Sequence, residues 1–232
     1  YLAKPLPNHP FGKKKWSSEK TYRELYENAI KVDDSELLNF ENKNGYQLNK
    51  KWWHDLALHT QVVIKKEPLN FFHGRLLYSV LCKYINQNKS IKYFSIFETG
   101  TARGFSSICM AKALNDLNIN GNIISLDCIS HNVPIYWNCI DDEEGPKTRN
   151  DLLSKWEDEL SRVIFIQGWT DGIIKRIGLN RINFAFLDAQ HTMKNVIQEF
   201  LFVSLRQRKG DLIVFDDVTP NQFEGVCGAV KL

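Results

Sequence analysis

The sequence predicts an α/β protein built on a doubly wound, mostly parallel sheet in three α/β/α layers, with an N-terminal helical extension. Three observations carry this. From residue 93 onward, short apolar runs alternate with segments of helix length. The runs are nearly continuous in Val, Ile, Leu and Phe, as expected of strands covered on both faces. Four of the five runs end in a carboxylate, which places one kind of chemistry along one edge of a parallel sheet.

The elements follow in order. Residues 1–16 hold Pro5, Pro7 and Pro10 with little periodicity and read as a loop or arm. "SSEKTYRELYENAIKV" has Ser17 or Ser18 as N-cap and Tyr22, Leu25, Tyr26, Ala29 and Ile30 at helical spacing. "NKKWWHDLALHTQVVI" and "NFFHGRLLYSVLCKYINQ" are two further helices. The five strands are "KYFSIFE", "GNIISLD", "RVIFIQG", "INFAFLD" and "DLIVFDD". Helices are expected between them at Gly104–Leu117, Thr148–Leu160, Thr170–Ile177 and Thr192–Arg208. Right-handed crossovers between parallel strands make this a Rossmann-like arrangement.

Residues 1–69 are taken as an arm with helices and as a candidate cover for the active site. Residues 70–232 form the ligand-binding domain. Residues 128–147 are long for a connection and read either as a lid or as a rigid cover for the sheet edge. After Asp217 there is room only for a short helix near Phe223–Leu232, so the domain reads as truncated after its fifth strand. An open edge there is an aggregation hazard unless something covers it.

Composition excludes several classes. The 232 residues carry 30 basic and 27 acidic side chains, a net charge of +3, which gives no argument for nucleic acid or an acidic membrane. The Lys13–Lys15 run reads as a solvated tail. No apolar run nears the roughly 18 residues of a membrane span, and no signal peptide is visible. Cys82, Cys109, Cys128, Cys139 and Cys227 are odd in number and lack paired spacing. They read as free thiols of a cytoplasmic protein. A homo-oligomer is compatible with all of this.

The stretch "IFETGTARGFSS", Ile96–Ser107, carries the site. It has neither the G-x-G-x-x-G spacing of a dinucleotide turn nor the Gly-Lys-Ser/Thr of a phosphate loop, which opposes NAD or nucleotide-sugar chemistry. Glu98 beside the turn suits a pyrophosphate poorly and suits a cofactor with an amino group and a sulfonium. Asp127, at the end of the next strand, is placed to accept from ribose hydroxyls. The cofactor asked for is an adenosine with positive charge and no phosphate, as in S-adenosylmethionine.

With "ISLD", "LDAQHT" and "KGDLIVFDDV", that stretch resembles the class I S-adenosylmethionine-dependent methyltransferases. The nearer likeness is to the bacterial group of sugar and small-molecule O-methyltransferases. The resemblance covers about residues 70–220. It implies that Glu98, Gly100, Thr101 and Gly104 shape the methionine end of the cofactor site, that Ser106 reaches its carboxylate, and that Asp127 holds the ribose. Gly168 and Trp169 would lie near the adenine, with core packing the other reading of Trp169.

The fourth strand end offers Asp188 and His191 as catalytic residues. A neutral imidazole there could take a proton from an acceptor hydroxyl; the other reading is that His191 caps a helix or bonds Asp188. Asp188 with Asp216 and Asp217 suggests a divalent ion such as Mg2+, unless one aspartate only bonds backbone. The partner is then a small-molecule methyl acceptor, a sugar or natural product. The alternative is a non-catalytic S-adenosylmethionine-binding subunit that regulates or completes a partner enzyme.

Overall fold

The computed structural model describes residues 11–231. Most of the expected arm, residues 1–10, lies outside them. The chain forms two compact units, each discontinuous in sequence. One takes the chain through Ser90 together with Arg103–Asn118 and Ser130–Ser161; the other takes Ile91–Ala102, Ile119–Ile129 and the chain from Arg162 onward.

The first unit is helical: α1 (Glu19–Ala29), α2 (Ser35–Asn44), α3 (Lys50–Thr60), α4 (Phe72–Gln87), α5 (Phe105–Asp116), α6 (Arg149–Leu153) and α7 (Glu157–Leu160). Helix α2 has few apolar positions, so no periodicity announces it in the sequence. It is closed by Gly45 at φ +79°, whose N–H returns to the Glu41 carbonyl at 2.8 Å. Asn49 caps α3 by accepting from the Trp52 N–H. α4 meets α5 at Gly74, where a β-carbon would lie 2.6 Å from the Phe105 ring and 2.8 Å from Cys109 Sγ. Buried Arg75 on α4 is held by Glu41 and by Asp34.

The single helix expected at 148–160 is broken. Thr148 and Asp151 make a capping box for α6, then Ser154 turns its hydroxyl back onto the Asp151 carbonyl at 2.9 Å and the backbone tightens to a 3-10 turn through Trp156. Residues 130–147 are organised within this unit around buried Trp137. Its N–H donates to Asp142 Oδ1 at 2.6 Å and its indole Nε1 to the Lys147 carbonyl at 2.8 Å. The acidic group at 141–144 is spent locally: Asp141 on His59 and Lys147, Glu143 on Lys15. Lys13, Lys14 and Lys15 are all exposed, with Lys15 in a surface ion pair.

The second unit holds the sheet: β1 (Phe94–Thr99), β2 (Gly121–Asp127), β3 (Val163–Gln167), β4 (Phe184–Leu187) and β5 (Leu212–Phe215). All pairings are parallel, in the order β3-β2-β1-β4-β5. The chain winds outward from β1 to β3, returns to the other side of β1, and continues to β5. The winding reverses between β1 and β4, and all five C-terminal ends share one edge. Helices α8 (Thr170–Ile173), α9 (Met193–Ser204) and α10 (Glu224–Val230) belong to this unit. α8 is shorter than the expected 170–177, with Gly172 inside it weakening helix propensity.

Phe97, Ile124, Leu126, Ala185 and Leu187 from the strands and Phe202 and Val203 from α9 form the core of this unit. α10 packs on α9. Gly225 lets it seat there, since a β-carbon would fall 2.2 Å from the His191 carbonyl oxygen. The five cysteines are free, and four are buried. Among the described residues no helix is long and apolar enough to cross a membrane.

Candidate active site

The end of β1 is clamped from both neighbours. The Gly100 N–H donates to the Leu126 carbonyl of β2 at 2.9 Å, and the Asp188 N–H after β4 donates to the Thr99 carbonyl at 3.0 Å. Gly100 has φ +88°, and a β-carbon on it would lie 1.8 Å from the Asp188 carbonyl oxygen. Glycine is therefore required twice, by backbone conformation and by space.

Beneath this turn runs a buried chain of oxygens. Ser125 Oγ donates to Glu98, and Thr101 Oγ1 lies 2.5 Å from Ser125 Oγ. Glu98 is fully buried, so it supports the turn from within the sheet rather than from its surface. Asp127 is occupied too. Its Oδ2 accepts from the Ala102 N–H at 2.6 Å and its Oδ1 from the Ile129 N–H at 2.7 Å. Ala102 carries an uncommon positive φ of 44° for a residue with a side chain, and the Asp127 bond holds it there. Beyond β3 the Gly168 N–H donates to the Asp127 carbonyl at 2.7 Å, and half-buried Trp169 precedes α8.

Gly104 and Ser106 belong to the helical unit. Gly104, at φ +93°, starts α5, and a β-carbon there would meet Leu153 Cδ1 at 2.7 Å. Ser106 is buried in the first turn of α5. Between the two glycines of the motif lies Arg103, which no residue pattern marks as part of a site. It is buried, donates from Nε to the Trp137 carbonyl at 2.6 Å and lies over the Phe11 ring. Burial lowers its guanidinium to about 10.

The other side of the switch holds the titratable cluster. His191 Nε2 lies 3.2 Å from Asp217 Oδ2 and 3.5 Å from Asp188 Oδ1. Burial pushes the Asp188 carboxyl up to about 7, with Asp216 and Asp217 raising it further and His191 opposing them. His191 is held above its ordinary value chiefly by Asp188, with burial opposing. Its ring stands edge-on to Phe223 at 4.7 Å between centroids. Asp217 sits at φ +54°, which turns its carboxylate toward the imidazole. One oxygen each from Asp188 and Asp217 and one His191 nitrogen lie within 4.8 Å of one another. Asp216, expected in a metal set, is not in this group, whereas His191 is. Asp216 donates its own N–H to the Leu187 carbonyl at 3.1 Å.

Residues 97–218 match the family model described as a methyltransferase domain, which is more than half of the chain. The chain belongs to that family. No curated protein matches the sequence of this methyltransferase. Among solved structures, the O-methyltransferase from Bacillus cereus in complex with SAH is similar at TM-score 0.53 and 14% identity, over 79% of each chain. The O-methyltransferase TomG from Streptomyces achromogenes, of tomaymycin synthesis and in complex with SAM, is similar at TM-score 0.51 and 17% identity, over 80% of this chain and 78% of that one. CalS11, a TDP-rhamnose 3'-O-methyltransferase of calicheamicin biosynthesis, is similar at TM-score 0.50 and 15% identity, over 91% and 83%. At these identities the likeness is one of fold, and the fold of the methyltransferase is the Rossmann-like one.

Proposed function

We propose that the methyltransferase binds S-adenosylmethionine and methylates a hydroxyl of a small molecule such as a sugar or natural product. One observation carries the acid–base half of this reading: His191 faces Asp188 and Asp217 at the sheet edge where ligands of such folds bind. The solved structures of similar fold include O-methyltransferases with SAM or SAH bound and one acting on a sugar nucleotide, which supports the cofactor and the acceptor class.

The cofactor supplies an electrophilic sulfonium methyl. Glu98, Gly100, Thr101, Asp127, Gly168 and Trp169, all of the sheet unit, are the residues assigned to it. Asp127 orients the turn through Ala102, so its carboxylate shapes the ribose contact while fixing the loop. The His191 imidazole, with Nε2 3.2 Å from Asp217 Oδ2 and 3.5 Å from Asp188 Oδ1, takes a proton from the acceptor hydroxyl as the methyl moves. Asp188 and Asp217 favour the imidazolium that results.

Asp188, His191 and Asp217 also fit a divalent ion, because three donor atoms converge. Such an ion would hold acceptor oxygens at the sheet edge, with Nε2 as a ligand.

Calorimetric titration with S-adenosylmethionine and with NAD tests the cofactor. Binding of the first and not the second is expected; the reverse rejects the reading. Mass spectrometry on a panel of hydroxylated sugars and natural products then looks for products heavier by one methylene. Cofactor binding without any product across the panel favours a cofactor-binding subunit over an enzyme.

A further inference from the structure

On α9, among apolar Val196, Phe202 and Val203, lies one carboxylate: Glu199, 3% exposed. Its Oε2 accepts from Thr99 Oγ1 at 2.8 Å, and its Oε1 has no hydrogen-bond partner among the described residues. A buried, half-satisfied carboxyl costs stability that a leucine or methionine of similar volume would not. Packing of α9 on the sheet therefore does not account for it. What the bond reaches is Thr99. This residue closes β1, accepts the Asp188 N–H on its carbonyl at 3.0 Å and leads into Gly100, whose α-carbon faces the Asp188 carbonyl.

We propose that Glu199 is a positioning residue: by gripping the Thr99 hydroxyl it fixes the end of β1, and with it both the cofactor turn and the backbone of Asp188. The cofactor half of this statement rests on the proposed function; the brace itself does not. A single hydrogen bond from α9 thus ties the two sides of the winding switch, where the turn and the acid–base cluster must keep a fixed separation.

The test uses Glu199→Ala, Glu199→Gln, Thr99→Val and the Thr99→Val/Glu199→Ala double variant of the full chain. Calorimetry reads S-adenosylmethionine affinity. Amide hydrogen exchange reads Asp188 relative to Asp216, whose N–H bonds Leu187 and not Thr99. Global destabilisation speeds both amides alike, whereas loss of the brace speeds Asp188 alone. The expected result is about tenfold weaker binding and faster relative exchange in Glu199→Ala and in Thr99→Val. Glu199→Gln, which keeps an acceptor, stays within about threefold on both readouts. The double variant is no worse than either single one. Additive losses, wild-type behaviour of Glu199→Ala, or a Gln variant as impaired as Ala overturn the proposal. If the Ala variant does not fold, Glu199→Gln and Thr99→Val still decide it. If the wild-type chain does not bind S-adenosylmethionine, the proposed function fails and the exchange measurement alone judges the brace.

Discussion

A β-carbon on Gly100 would lie 1.8 Å from the carbonyl oxygen of Asp188. The ends of β1 and β4 approach each other at the winding switch because position 100 carries no side chain. Gly100→Ala must therefore push the two strand ends apart and strain a backbone at φ +88°. The expected outcome is a loss of at least ~3 kcal/mol in urea unfolding, or failure to fold, with no measurable S-adenosylmethionine binding. A variant that unfolds with the wild-type midpoint would show that the two strands are not held at this separation.

Ser125 joins Glu98 to Thr101, and all three are buried. Ser125→Ala removes a donor from a buried carboxylate and a partner from a buried hydroxyl. At this burial, leaving the carboxylate and hydroxyl short of a partner is costly. Urea unfolding is expected to show a destabilisation of about 1–3 kcal/mol. A change below ~0.5 kcal/mol would mean that the oxygens have other partners of equal worth.

The sheet was legible in the sequence because its strands are buried on both faces, so each reads as a nearly unbroken apolar run between turns. The turn after β1 was legible because Glu98 and Asp127 sit at strand ends, where a parallel sheet gathers them. Which of the expected pair Asp216 and Asp217 turns toward His191 was not legible. Adjacent aspartates differ only in which way the backbone turns, and here Asp217 has a positive φ that no residue pattern announces. Helix α2 was missed because it contributes few buried apolar side chains and is held instead by the Arg75 ion pairs. Glu199 does carry a signal in the sequence: it shares the helical face of Val196 and Val203, at spacings of three and four. A carboxylate on such a face either finds a partner or serves a site.

Asp127 spends both oxygens on backbone N–H groups. Asp127→Asn would set an amide NH2 against one of those donors, so the conservative variant is nearly as harmful as Asp127→Ala. Both are expected to weaken S-adenosylmethionine at least tenfold by calorimetry. An asparagine variant with wild-type affinity would detach the carboxylate from both the turn and the ribose.

Glu199 also sets a pH dependence. Burial raises its carboxyl from an ordinary 4.5 to about 7. The folded state therefore binds a proton that the unfolded chain has released. The sign follows: this contribution is fully present below about pH 4.5 and is lost as pH rises through 7. Glu199→Gln lacks the titration. Its stability relative to wild type is expected to rise between pH 5 and 8, by as much as ~3 kcal/mol. Parallel stability curves across that range, from urea unfolding at each pH, would place the ionised carboxylate in a solvated or paired environment.

The cluster around His191 is short of positive charge. One imidazole faces Asp188 and Asp217, with Asp216 raising Asp188 further. A divalent ion would relieve that imbalance, and the donor set points to which one. Mg2+ prefers oxygen and keeps its waters, whereas an imidazole nitrogen suits Mn2+ and the later divalent metals better. Calorimetry on the metal-free chain is expected to show Mn2+ binding more tightly than Mg2+. Asp217→Asn should weaken both ions at least tenfold, while leaving S-adenosylmethionine affinity within about threefold. His191→Gln separates the two uses of the imidazole. If Nε2 is a ligand, the variant loses Mn2+ binding along with activity. If His191 works only as a base, the variant's turnover falls by about 100-fold or more, while the wild-type chain shows no heat with either ion and keeps its full activity in EDTA.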